Sequence, residues 1–172
     1  MFAAYHKHSP KQRLRLDGAF VRAQPAHLLA TFFGSGLLRP ASGTWGTLAG
    51  LFVYLVLSPF LGPWFWLALC FLTFFLGAWA CEVAGRNCGV HDHGSFVIDE
   101  VFAIWLVLLV TPESFTWQLA AFAAFRFFDI VKLPPASFCD REMRNGYGVM
   151  LDDAFAALYA IALIRACVWL VG

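Results

Sequence analysis

The feature that most constrains the fold is an uncharged run of 18 residues from Trp64 to Cys81. Runs of this length are typical of transmembrane helices. Four more apolar runs lie at roughly 47–61, 97–111, 115–128 and 154–171. We therefore predict an all-α, multi-pass membrane helical bundle with about four to five apolar helices. Three of the runs have fewer than the ~20 residues needed to cross a bilayer, so which of them cross completely is left open.

The composition excludes several classes of protein. Apolar residues make up 60% of the 172-residue chain and charged residues 13%, against about 45–50% and about 25% in soluble domains. A disordered chain, a coiled coil and a nucleic-acid binder are excluded on this ground. The five cysteines contain no C-x-x-C pair, which excludes a zinc ribbon or disulfide scaffold. We expect membrane lipids as partners, with no nucleic acid and no obligatory protein partner.

The positive charges predict the orientation. Eleven of the twelve Lys and Arg residues lie in or beside the segments 1–46, 82–96 and 129–153, and Arg165 is the exception. By the positive-inside rule these segments are cytoplasmic. We predict a basic cytoplasmic N-terminal arm at 1–25 and one membrane-embedded domain at 26–172.

The acidic residues follow the same distribution, which brings eight carboxylates to the cytoplasmic face. Asp99–Glu100 and Asp152–Asp153 form adjacent pairs at the starts of apolar runs, where carboxylates are costly to bury. Each pair also suits a helix N-terminus, and helix capping is the alternative interpretation. With Asp92 and Asp129 nearby, we favour a carboxylate cluster, which suits Mg²⁺. His91 and His93 are weaker candidates for metal ligands. The eight carboxylates are Asp92, Asp99, Glu100, Asp129, Asp140, Glu142, Asp152 and Asp153.

Two further segments could bind an anion. The Gly- and hydroxyl-rich stretch 34–50 enters an apolar run, so its backbone N–H groups could contact a phosphate. The alternative is close helix packing through Gly46 and Gly50. Arg126, Asp129 and Lys132 stay broadly on one side of a helix, where they could form a self-contained ion network or hold a metal and a phosphate.

Four segments together resemble the phosphatidylglycerophosphatase A family over almost the whole chain. They are 27–50 with its GSGLL and SGTWGTLAG strings, VHDHGSFVIDE at 90–100, FRFFDIVK at 125–132 and NGYGVMLDD at 145–153. The resemblance implies a Mg²⁺-dependent lipid phosphatase of the bacterial inner membrane. Such an enzyme removes the terminal phosphate of phosphatidylglycerophosphate to give phosphatidylglycerol. Two positions depart from the family pattern: Leu133 follows Lys132 directly, and Asn145 precedes Gly146 in place of a glycine pair.

On this interpretation we expect one or two Mg²⁺ ions on five carboxylates, namely Asp99, Glu100, Asp129, Asp152 and Asp153. Asp92 is expected to position or deprotonate the attacking water. Arg126 and Lys132 are expected to hold the phosphate, helped by Ser35, Gly43 and Thr44. Two alternative functions are a small transporter or ion-binding protein, with Arg165 and the acids along a pathway, and a membrane scaffold. The gathering of the acids at one face counts against the first, and the scaffold gives the carboxylate pairs no purpose.

Overall fold

The structure, a computed structural model, describes residues 15–171, and within them the chain forms eight α-helices and no strand. The helices are α1 (Gly18–Ala23), α2 (Pro25–Ala30), α3 (Ser42–Leu57), α4 (Pro63–Cys88), α5 (Ile98–Leu109), α6 (Phe115–Val131), α7 (Ala136–Glu142) and α8 (Gly146–Val171). A single turn of 3₁₀-helix, Ser35–Leu37, precedes α3. The predicted all-α class is confirmed.

Helix α5 lies at the centre of the bundle and packs against α3, α4, α6 and α8. After its first turn it is apolar on every side, and a helix of this kind is stable only when other protein surrounds it. Its side chains are correspondingly buried from Ile98 to Leu108 with few exceptions. Twelve residues extend about 18 Å, well short of the ~30 Å hydrocarbon core of a bilayer.

Helices α4 and α8 are the two that are long and apolar enough to cross a membrane in the described part of the chain. Each has 26 residues, or about 39 Å of helix. Both expose large apolar side chains, among them Trp64, Phe71 and Trp169. An exposed apolar surface of this kind is typical of a lipid-facing helix. The predicted count of four to five spans stays a prediction.

The helix ends gather the charges at one end of the bundle. The short connection 58–62 joins α3 to α4, and the short connection 110–114 joins α5 to α6. Because successive helices run in opposite directions, the starts of α3, α5 and α8 lie at the same end as the last turns of α4 and α6.

Helix α8 begins earlier than its apolar run. It starts at Gly146, so Asp152 and Asp153 lie about two turns inside the helix rather than at its N-cap. The capping interpretation of this pair is therefore wrong. The tertiary contacts explain the early start, because Gly146 and Gly148 allow the helix to approach the backbone at Ala78 and Met143.

Part of the predicted N-terminal arm is folded onto the bundle. In α1 the side chain of Val21 is buried, and Phe20 stacks on His27 of α2 with ring centroids 3.9 Å apart. His27 also lies 2.8 Å from the amide nitrogen of Asn87, near the end of α4. The rest of the arm, residues 1–14 with Lys7, Lys11 and Arg13, lies outside the described residues.

Candidate active site

A cavity of about 220 Å³ lies at the charged end of the bundle. Its walls come from the start of α3, the α4–α5 loop, the start of α5, the end of α6 and the second turn of α8. The lining residues are Ala41, Ser42, Gly43, Asp92, Gly94, Phe96, Asp99, Glu100, Arg126, Asp129, Lys132, Asp152 and Asp153. All six carboxylates in this set were predicted from the sequence to lie together.

Asp99, Glu100 and Asp153 form the inner wall of this cavity. One carboxylate oxygen from each lies within 4.8 Å of the others. Oδ1 of Asp99, Oε2 of Glu100 and Oδ2 of Asp153 are buried without a hydrogen-bond partner in the described part of the chain. Buried carboxylates without donors are strongly unfavourable as anions unless a cation or a proton neutralises them. Three carboxylates at this spacing offer the oxygen ligands that a hard divalent cation takes.

Arg126 joins this group to Asp129. Its Nη1 atom lies 2.5 Å from Oδ2 of Asp129 and 3.6 Å from Oε1 of Glu100. It also donates to the hydroxyl of Thr47 on α3, at 3.4 Å. The Nε–H group of Arg126 is buried and has no partner in the part of the chain that the structure describes. The guanidinium is therefore fixed at the cavity with one donor still available.

Lys132 closes the other side. Since the residue before a proline disfavours helical geometry, α6 ends just ahead of Pro134, and Lys132 takes a left-handed conformation with φ of 48°. Its ammonium lies 3.0 Å from Oδ1 of Asp140 and also contacts Asp152. Burial lowers the pKa of Lys132, but the carboxylates of Asp152, Asp153 and Asp140 outweigh this effect and raise it overall. The lysine is a permanent cation at physiological pH.

The start of α3 approaches the carboxylates closely because residue 43 is a glycine. A Cβ at Gly43 would overlap Oε1 of Glu100 and lie 3.1 Å from the guanidinium of Arg126. No side chain caps the first turn of α3, so its leading N–H groups remain available for an anion. Further along, Gly46 and Gly50 pack against α5 at Val97 and Ile104. Gly46 and Gly50 therefore serve helix packing, while Gly43 lies at the cavity, where binding of an anion stays a prediction.

Some predicted residues lie away from the cavity. Ser35 donates to the carbonyl of Thr31 and faces an apolar groove, and Thr44 does not line the cavity. His93 is buried with its Nδ1 accepting the N–H of Ser95 at 3.1 Å. Neither His93 nor His91 joins the carboxylates of the possible metal group.

Two contributors were not predicted. Ser42 lines the cavity and donates to the carbonyl of Gly94, which ties the start of α3 to the α4–α5 loop. Glu82 accepts the N–H of Gly146 at 2.8 Å and so caps the first turn of α8. Its position near the end of an apolar helix, four residues before Arg86, was the available signal, but it does not reveal the contact with α8.

Comparison with known proteins identifies the family. A family model described as Phosphatidylglycerophosphatase A matches residues 28–168. The chain belongs to the phosphatidylglycerophosphatase A family. Its matched span contains every residue that lines the cavity. As a member of this family the chain is a phosphatase enzyme.

The chain aligns with most of the length of three named relatives. A Haemophilus influenzae protein named phosphatidylglycerophosphatase A is 48% identical over 83% of this chain and 88% of its own. The Escherichia coli protein of the same name is 36% identical over 92% of this chain and 89% of its own. A Bacteroides thetaiotaomicron protein provisionally named a phosphatidylinositol-3-phosphatase is 37% identical over 84% and 94%. No solved structure matches the chain.

Proposed function

We propose that this enzyme hydrolyses the terminal phosphate monoester of phosphatidylglycerophosphate, with Mg²⁺ held by Asp99, Glu100 and Asp153. The observation that carries the proposal is the set of unpartnered carboxylate oxygens in a cavity that also holds Arg126 and Lys132. A phosphate monoester carries about two negative charges. A cavity with carboxylates alone would repel it, whereas a cation on the carboxylates and two fixed basic side chains make the cavity complementary to it.

The residues present fit a magnesium ion. Their donors are all carboxylate oxygens, which Mg²⁺ prefers to the nitrogen and sulfur ligands of softer metals. When bound there, the ion would neutralise the phosphoryl oxygens and favour attack at phosphorus. Asp129 and Asp152 are further candidates for the ligand set, although each already contacts a basic side chain.

The protein side chains would supply the rest of the reaction. Arg126 and Lys132 bind the phosphate, together with the N–H groups at the start of α3. Asp92, on the α4–α5 loop, takes a proton from the attacking water as the water oxygen bonds to phosphorus. The bond from phosphorus to the glycerol oxygen then breaks, and that oxygen takes up the proton held by Asp92. The products are phosphatidylglycerol and inorganic phosphate.

We propose a multi-pass arrangement in the bacterial inner membrane, with the N-terminus and this cavity on the cytoplasmic side. The support is the concentration of Lys and Arg at the end of the bundle that holds the cavity. The lipid-facing surfaces of α4 and α8 support the membrane location. Fusion of a reporter that reads cytoplasmic or periplasmic location at each connection tests the arrangement.

The reaction is tested by purifying the protein in detergent and measuring phosphate release from phosphatidylglycerophosphate. We expect release that requires Mg²⁺ and stops with a chelator. Phosphatidylinositol 3-phosphate is the comparison substrate, because one relative carries that name. Equal or faster release from it would overturn the substrate assignment. A folded sample that released phosphate equally well in chelator would overturn the metal site.

A further inference from the structure

An apolar groove of about 640 Å³ lies beside the charged cavity, within the ~300–1,000 Å³ range of small-molecule sites. One wall is the segment from Phe32 to Leu38, and the other is a face of α3 with Phe52 and Val53. Trp105 of α5 also lines it. Among the residues that the structure describes, no charged one lines the groove. The indole N–H of Trp105 donates to the carbonyl of Gly50 at 2.9 Å. An apolar ligand in the groove would therefore leave almost no polar group of the protein without a hydrogen bond.

The groove and the cavity are both lined by residues of α3. Ser42 lines the cavity, while Ala49 and Val53 line the groove. Spacings of seven and four residues place these three on one stripe of the helix. The two groove residues lie about 10 and 16 Å along the axis from Ser42. A single extended molecule can therefore follow this stripe from one site into the other.

The wall formed by Phe32 and Phe33 is held in an unusual conformation. Both residues have left-handed φ angles, 41° and 56°, ahead of Gly34 at 88°. Such angles are rare for phenylalanine and occur mainly where surrounding contacts impose them. The Phe33 N–H donates to Leu28 at 2.8 Å, and the Phe32 ring packs edge-on against Trp105. Phe33 itself is 71% exposed at the groove, so the fold fixes an aromatic ring at an open surface.

The segment between the two sites carries one charge. Leu38 lines the groove and Ala41 lines the cavity, and exposed Arg39 lies between them in the chain. Along the chain, the order is thus the apolar groove, the basic side chain of Arg39 and the carboxylate cavity. Phosphatidylglycerophosphate has the same order of groups: acyl chain, phosphodiester, terminal phosphate monoester.

Resting on the proposed function, we propose that this groove binds an acyl chain of the lipid substrate and that Arg39 contacts its phosphodiester. The groove thereby selects a diacyl lipid with a second phosphate at a set distance. The exposed apolar side chains of α4, among them Phe71 and Leu72, line neither the groove nor the cavity.

The first test fills the groove. Ala49→Trp places an indole on the stripe, and Leu72→Trp is the matched control on the exposed face of α4. With a dipalmitoyl substrate we expect kcat/KM to fall about tenfold in Ala49→Trp, as for other steric mismatches in apolar pockets. With a dihexanoyl substrate the same variant should lose less than twofold, and Leu72→Trp should lose little on either. An equal loss on both substrates would overturn the groove assignment, as would an unchanged rate on both.

A second test does not depend on turnover. Phosphatidylglycerol with a photoreactive group on one acyl chain should label the segment 32–38 and α3. Unlabelled phosphatidylglycerophosphate should suppress that labelling while leaving labelling of Phe71 on α4 unchanged. Labelling of both regions without competition would show bulk bilayer lipid in the groove and overturn the proposal. If wild-type protein hydrolysed neither chain length, the proposed function would fail, and labelling would still decide whether the groove binds acyl chains.

Arg39 has its own test. Arg39→Gln should lower kcat/KM several-fold on both chain lengths, because both substrates carry the phosphodiester. Arg22→Gln, at an exposed position on α1, is the matched control. Equal rates for the two variants would remove Arg39 from the proposal and leave the groove to be judged by the first two tests.

Discussion

Asp152 and Asp153 are neighbours in the chain, yet their carboxylates face different surroundings. Asp152 contacts the ammonium of Lys132, while an oxygen of Asp153 is buried against Asp99 and Glu100 without a donor in the described structure. Asp129 resembles Asp152, since it is paired with Arg126. The cavity therefore has one group of carboxylates in close contact with a basic side chain and another, Asp99, Glu100 and Asp153, with buried oxygens that have no hydrogen-bond donor among the described residues. The difference separates residues suited to hold a metal from residues suited to hold the cations that bind phosphate.

The largest effect is expected at the group with unpartnered oxygens, Asp99, Glu100 and Asp153. Glu100→Gln or Asp153→Asn removes a charged ligand, and we expect kcat to fall about 10²–10³-fold, as for loss of other groups that stabilise the transition state. The Mg²⁺ concentration for half-maximal activity should rise as well. Glu113→Gln, at the opposite end of the bundle, is the matched control. Wild-type Mg²⁺ dependence in Glu100→Gln would contradict the comparison.

A smaller effect is expected at the paired carboxylates. Asp129→Asn releases Arg126, so we expect KM for substrate to rise and kcat/KM to fall about 10–100-fold. The Mg²⁺ requirement should change little, and this readout separates the variant from Glu100→Gln. If Asp129→Asn weakened Mg²⁺ dependence as much as Glu100→Gln, Asp129 would belong to the metal ligands, as the sequence predicted. Full activity in Asp129→Asn would remove both roles.

Lys132 gives a prediction about pH. Its carboxylate neighbours raise its pKa above the ordinary value of 10.5, so the stability it contributes is fully present below that value and is lost only above it. Lys132→Arg should therefore leave the shape of the pH–rate profile between about pH 6 and 9 unchanged while lowering its height. Lys132→Met should lower kcat/KM further. A basic limb in that range that disappeared in Lys132→Arg would show that the lysine loses its proton there.

The smallest effect is expected outside both groups, at the cap of α8. Glu82→Ala removes the acceptor for the Gly146 N–H, and we expect a loss of about 1 kcal/mol in stability. For a chain of this size the melting temperature should fall by about 2–4 °C. Glu142→Ala, at an exposed position on α7, is the matched control. A loss of Mg²⁺ dependence in Glu82→Ala at temperatures where it is folded would assign Glu82 to the metal site.

Much of this arrangement was predictable because apolar runs and the charged residues beside them can be recognised directly in the sequence. The uncharged run at Trp64 gave α4, and the acids at the ends of apolar runs gave the carboxylate cavity. The division of those acids into paired and unpaired groups was not predictable. It depends on where Lys132 and Arg126 lie in three dimensions.

The start of α8 shows why local signals fail. Gly146 and Gly148 disfavour helix by propensity, and the sequence pattern predicted a helix start near Asp152 and Asp153. Packing against Ala78 of α4 reverses that preference, since any larger residue would overlap the neighbouring backbone. Ser35 lies at the groove and not at the cavity for a related reason. Left-handed φ angles at Phe32 and Phe33 set the path of the chain, and such angles in phenylalanine cannot be predicted from a sequence pattern.

The unequal surroundings of α5 and α8 have a further consequence. Asp99 and Glu100 lie on α5, which other helices surround. Asp153 lies on α8, whose C-terminal half exposes Leu163 and Trp169. A bilayer that is thinner or thicker than α8 prefers changes the tilt of that helix. In the proposed membrane arrangement, that tilt would move Asp153 relative to Asp99 and Glu100. The geometry of the proposed site would thereby respond to the thickness of the surrounding membrane.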